Sequence, residues 1–132
     1  MQGLAVVFLV ILEFGCCTYE GAEDKGGYGW AIVDRKKTPN QIKGKYVRNE
    51  NVQVNYLTEL LDIFTEEKVD GAFWFTFVMP SYPFSENPLY DLDMASYGIV
   101  KSYNDHNGKT YNDMPWEPKK SFEALAKYYS KV

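Results

Sequence analysis

The chain has 132 residues, enough for one domain, with 45% hydrophobic and 24% charged residues and a net charge of −4. That balance excludes a nucleic-acid binder, which needs a basic stripe to neutralise phosphates, and a disordered chain, which lacks apolar material for a core. Aromatic residues make up 17%, which suits either a rich core or a surface that stacks flat ligands.

Met1 to Leu12 carries no charged side chain, and Leu4 to Leu12 is apolar throughout. The run is too short to span a bilayer, so no membrane partner is expected. It has neither the preceding Lys or Arg nor the small-residue cleavage site of a signal peptide. Val6, Val7, Phe8, Val10 and Ile11 favour a strand over about 5–13, covered on both faces as in a parallel sheet. The expected location is cytoplasmic; secretion is the alternative, if residues 1–12 act as a signal peptide. Cys16 and Cys17 are adjacent, and a disulfide between neighbours is strained. They read as two small buried residues in a reducing compartment.

A loop over 14–50 follows, rich in charge and glycine. Val54, Leu57, Leu61 and Phe64 then form a helical stripe, which predicts a helix over 51–67 capped by Asn49 or Asn51. Ala72 to Val78 shows no apolar and polar alternation and predicts a second doubly covered strand over 71–78, ended by Pro80. The loop over 79–117 contains the turn signal Asn107-Gly108, with Gly98–Tyr103 and Lys109–Tyr111 as hairpin arms. Pro118 opens a last helix over 118–131, with Phe122, Leu125, Ala126 and Tyr129 as its apolar face.

The order strand, helix, strand, helix predicts an α/β chain with parallel strands and a right-handed crossover. Two strands leave long hydrophobic edges open. The long loops leave the C-terminal ends of the strands, where α/β barrels build their sites. Residues 1–132 therefore read as a single partial barrel domain, a βαβα segment of a (β/α)8 barrel.

Glu13 is the first charge in the sequence, at the predicted end of a buried strand. In a barrel a carboxylate there projects into the mouth of the site. The loops carry many aromatic residues, including Tyr19, Trp30 and Tyr82. Such rings stack on the apolar faces of sugars or pack the loops onto the rim. Gly26-Gly27-Tyr28-Gly29 lacks the Lys-Ser/Thr of a phosphate loop, and no Gly-x-Ser-x-Gly elbow occurs. His106 sits in a turn composition. One histidine and two cysteines cannot fill a zinc site without carboxylates, so neither metal nor cofactor is expected.

Leu12-Glu13-Phe14-Gly15 at one strand end and Gly71-Ala72-Phe73-Trp74-Phe75 on the next resemble strands seven and eight of (β/α)8 retaining glycoside hydrolases. Trp116-Glu117-Pro118-Lys119 to Ala126 resembles the final helix of such barrels. The resemblance implies Glu13 as the nucleophile and Trp74 as a sugar platform; among the loop rings, Trp30, Tyr19 and Tyr82 are the candidate substrate contacts. It implies a carbohydrate ligand, and either self-association or a complementing barrel chain as partner. The strand-four Asn-Glu motif that would supply the acid/base is absent. Arg48-Asn49-Glu50 precedes a helix rather than ending a strand, so the role is not carried over. Retaining hydrolysis needs two carboxyl groups about 5–5.5 Å apart, so the chain alone is expected to be inactive. The alternative is a non-catalytic carbohydrate- or protein-binding module.

Overall fold

The computed structural model describes residues 5–131. The first residues of the apolar run, 1–4, and Val132 lie outside the described residues. The elements in chain order are β1 (Val10–Phe14), β2 (Val33–Asp34), β3 (Gln41–Ile42), α1 (Glu50–Glu66), β4 (Gly71–Trp74), β5 (Val100–Ser102), β6 (Trp116–Pro118) and α2 (Lys120–Tyr129). β1 and β4 pair in parallel, with α1 as the connection between them, so the chain is mixed α/β around a small parallel sheet. The described residues form no closed barrel.

Both strands are shorter than the sequence predicts. The ladder begins where Asp70 meets Leu9, through Asp70 N–H to the Leu9 carbonyl at 2.8 Å and Leu9 N–H to the Asp70 carboxylate at 2.8 Å. Before that point β1 has no neighbour, and Val6, Val7 and Phe8 stand about three-quarters exposed rather than in a strand. Beyond Trp74 the chain leaves the sheet and exchanges hydrogen bonds with residues 97–100, such as Ile99 N–H to the Thr76 carbonyl at 3.0 Å.

Only one face of the sheet is covered. Within β4, Ala72 and Trp74 alternate with Phe73, as extended backbone requires. The first pair turns toward the helices, where Phe14, Leu57 and Leu61 are buried. Phe73 and Leu12 remain exposed on the other face, with Leu12 at 79%, while Phe75 and Phe77 lie beyond the strand, Phe77 edge-on to Trp116 at 5.2 Å. The expectation of burial on both faces is therefore corrected: the run of apolar residues holds one inward and one open set.

Asn49 caps α1, its side chain accepting from Asn51 N–H at 2.9 Å. Leu57 and Leu61 face the sheet as the stripe predicts, and burying each contributes about 1.5–3 kcal/mol. Gln53, one turn earlier on the same face, is also buried. Its amide donates to the Cys16 and Gly98 carbonyls at 2.9 and 3.1 Å and accepts from Ser121 at 2.8 Å. The helix thereby holds the end of β1 and the start of α2 through one side chain. α2 packs on α1 with Ser121, Ala124, Leu125 and Tyr128 turned inward, so its inner face is rotated from the predicted one: Ala126 and Tyr129 are exposed. The hairpin around Asn107-Gly108 closes further out than predicted, pairing Val100–Ser102 with Trp116–Pro118 instead of with 109–111.

The larger apolar cluster lies in the loops rather than between sheet and helices. Cys16, Cys17, Tyr19, Met94, Ala95 and Tyr97 are at its heart, all nearly inaccessible. A buried charge network locks it. Lys119 Nζ, with no exposed side-chain surface, lies 3.0 Å from Asp93 Oδ2 and donates to Thr18 Oγ1 at 2.9 Å. Arg48 reaches Asp93 at 2.8 Å, Asp91 at 3.2 Å and Glu50 at 2.8 Å. Burial pulls the Lys119 ammonium below its ordinary value against the attraction of Asp93. Burial raises Asp91, while Arg48 opposes the rise. For Glu50, burial pushes upward, but the Arg48 guanidinium and the Lys120 N–H outweigh it and hold the carboxyl below its usual range. Among the described residues, no helix is long and apolar enough to cross a membrane.

Candidate functional site

A cavity of about 700 Å³ opens at the C-terminal ends of β1 and β4. β1 delivers Glu13 to its wall, and Gly15 follows at a tight approach. A Cβ on Gly15 would sit 2.2 Å from the Phe75 carbonyl oxygen, so only glycine lets the end of β1 and the chain after β4 come this close. Phe75 presents its ring to the cavity. The loop between β1 and α1 adds Trp30 and Arg35, and the loop after β4 adds Met79, Tyr82 and Tyr97.

The polar contacts of the wall are ordered. The Arg35 guanidinium lies 5.3 Å over the Trp30 ring, and its Nη2 donates to the Tyr82 hydroxyl at 2.5 Å. Tyr82 is itself buried, so its hydroxyl is a fixed anchor. The Tyr97 hydroxyl accepts from Gly29 N–H at 3.1 Å and donates to the Gly26 carbonyl at 3.2 Å, which shapes the glycine turn at the rim. Burial raises the Tyr97 phenol above its ordinary value, so it stays protonated.

Glu13, Trp30 and Tyr82 thus meet at one cavity, whereas the other two residues singled out from the sequence do not. Trp74 turns to the helix side of the sheet. Its ring stands edge-on to Phe14 at 5.3 Å and to Tyr56 at 6.4 Å, and its indole N–H donates to the Tyr97 carbonyl at 2.9 Å. Phe75, in the bend just after β4, presents its ring to the cavity instead. Tyr19 is 1% exposed, packs edge-on against Tyr46 and spends its hydroxyl on the Gly29 carbonyl. Both are interior supports of the cavity rather than contacts for a ligand. Arg35 is the lining residue that sequence reading missed: it stands in the run Asp34-Arg35-Lys36-Lys37, which has the composition of a solvated charge cluster.

A second hollow of about 950 Å³ lies between the polar loops near Tyr103 and Glu117. Its groups are committed locally. Glu117 accepts from Lys109 N–H, Thr110 N–H and the Thr110 hydroxyl at 3.0, 2.9 and 2.7 Å. His106 stacks on Tyr103 at 4.0 Å and meets Asp105 at 2.6 Å. The first cavity is the candidate, because it alone sits at the ends of both parallel strands. Among the described residues no group of three or more His, Cys, Asp and Glu side chains is arranged to hold a metal ion. Compared with known proteins, the sequence matches no family model and no curated protein.

Proposed function

We propose that the chain is a glycoside hydrolase-like segment, two βα units of a (β/α)8 architecture, and that its cavity binds carbohydrate. The observation that carries this reading is the meeting of Glu13 with Trp30, Phe75 and Tyr82 at the C-terminal ends of two parallel strands. Aromatic rings suit the apolar faces of sugars, and a carboxylate accepts from their hydroxyls. The open face of Leu12 and Phe73 supports the barrel part, since further strands would cover such a face. In that architecture Glu13 is the nucleophile equivalent of retaining hydrolysis.

Catalysis by this chain alone is a separate matter. Glu13 is the only carboxylate among the described residues lining the cavity. Retaining hydrolysis takes a second carboxyl group about 5–5.5 Å away. The chain therefore binds sugar and turns none over by itself, which also favours the second reading, a non-catalytic binding module.

Titrating the chain with a panel of neutral and acidic oligosaccharides, while following tryptophan emission, tests the reading. A saturable change that is lost in Trp30→Ala is expected, with no release from aryl glycosides above the solvent rate. Failure of the whole panel to bind overturns the carbohydrate assignment. Turnover abolished by Glu13→Gln overturns the claim of inactivity.

A further inference from the structure

Arg35 sets the chemistry of what the cavity accepts. We propose that the ligand is an acidic sugar, a uronate, whose carboxylate is gripped by the Arg35 guanidinium. The inference deepens the carbohydrate reading above and rests on it.

Three observations carry the inference. The guanidinium is held on two sides, by the face of Trp30 at 5.3 Å and by the anchored Tyr82 hydroxyl at 2.5 Å. An arginine fixed in this way has lost much of its rotamer freedom before any ligand arrives, and its remaining N–H groups keep their fork geometry. Next, no carboxylate among the described residues is within ion-pair distance of it. Arg48 has three such partners and Lys119 one, whereas the exposed Arg35 in the cavity wall has none and is held by Trp30 and Tyr82. Last, Glu13, the single carboxylate of the cavity among the described residues, comes from the end of β1 and makes no ion pair with Arg35. The wall therefore carries one positive and one negative pole, which would orient an asymmetric ligand.

A uronate fits better than a neutral sugar or a phosphosugar. Two coplanar carboxylate oxygens match the guanidinium fork in a bidentate pair. A single arginine balances one negative charge, whereas a phosphate dianion would remain half compensated. The sugar ring is left to Trp30 and Phe75, and its hydroxyls to Glu13.

The experiment compares matched tetrasaccharides that differ only at C6: cellotetraose with β-1,4-tetraglucuronate, α-1,4-galactotetraose with tetragalacturonate, and β-1,4-mannotetraose with tetramannuronate. A 6-sulfated cellotetraose is added. Binding is read by tryptophan emission at low and high salt. The uronate member of at least one pair is expected to bind about tenfold or more tightly than its neutral twin, as befits a hydrogen bond to a charged group. The preference should shrink at high salt and vanish in Arg35→Gln. Arg35→Lys, which keeps the charge and loses the fork, should retain only part of it. Arg35 is exposed and its side-chain hydrogen bond is to Tyr82, so both variants should stay folded at the assay temperature, with melting measured beside the parent chain. Equal binding of twins overturns the inference and leaves the carbohydrate site standing. Sulfate binding as tight as uronate overturns the carboxylate assignment. No binding by any member overturns the sugar site and this inference with it.

Discussion

Lys119 and Asp93 form an ion pair at 3.0 Å in which neither side chain has more than 1% of its surface exposed. Two charges removed this far from water hold only if each is satisfied by the other and by neighbours. Thr18 and Arg48 supply those neighbours, so the pair fastens both long loops to the start of α2. Lys119→Ala leaves Asp93 with Arg48 alone and should cost about 3–5 kcal/mol in urea unfolding. The double replacement Lys119→Met with Asp93→Leu should recover much of that loss. A single replacement that leaves the midpoint unchanged would show that the pair does not hold the loops.

Acid should act on this network in two opposed ways. Glu50 has a folded pKa below its ordinary 4.5, so its contribution is complete above pH 4.5 and is lost as the pH falls through the lower folded value. Asp91 has a folded pKa above its ordinary 3.8, so acidification through that raised value relieves a penalty. Glu50→Gln should therefore lose less stability than the parent as the pH drops below 4.5. Asp91→Asn should lose more. Urea midpoints from neutral to acid pH check both, and parallel curves for all three proteins would contradict the assignment.

The thiols offer a chemical test of the loop core. Burial pushes Cys16 and Cys17 up to about 12, and the two are 2% and 1% exposed. At pH 8 only about one thiol in ten thousand would be thiolate even if reagent could reach it. Neither cysteine should react with a disulfide reagent in the native chain, and both should react on unfolding. Rapid native labelling would mean that the loops open far more readily than their packing implies.

The open sheet face should make the chain self-associate. Leu12 and Phe73 are 79% and 61% exposed on one side of the strands, a patch of the kind that soluble monomers avoid. Sedimentation should show association that grows with concentration, and a hydrophobic dye should bind. Leu12→Ser with Phe73→Ser should weaken both without unfolding the chain, because neither residue belongs to a buried cluster. A monomer at every concentration that ignores the dye would contradict this.

The legible part of the fold was the part governed by local pattern. The α1 stripe and its Asn49 cap place that helix at 50–66, one residue from the predicted 51–67, and the βαβα order implies the parallel pair. Strand lengths were not legible, because a strand ends where its neighbour ends, as β1 does at Asp70. The facing of Trp74 and Phe75 was not legible either: both are aromatic, and a uniformly apolar run hides a period of two. Nothing in Pro118-Lys119-Lys120 marks which lysine is buried, since that depends on Asp93 and Thr18, far away in sequence. The cavity was half legible. Glu13 and Trp30 carry chemistry by type and position, while Arg35 acquires its place only through Tyr82.

The bond between Thr18 and Lys119 spans 101 positions. On a ribosome adding about 5–20 residues each second, the first loop waits several seconds for that partner to be made. Until then Thr18 Oγ1 lacks the Lys119 ammonium, and Asp93 has Arg48 as its one cationic partner among the described residues. Stalled chains ending before Lys119 should be cut by protease within the 15–49 loop, and released chains should resist. The loop that carries Thr18 is thus secured only once Lys119 is made, and the length of its wait is set by the distance along the chain between those two residues.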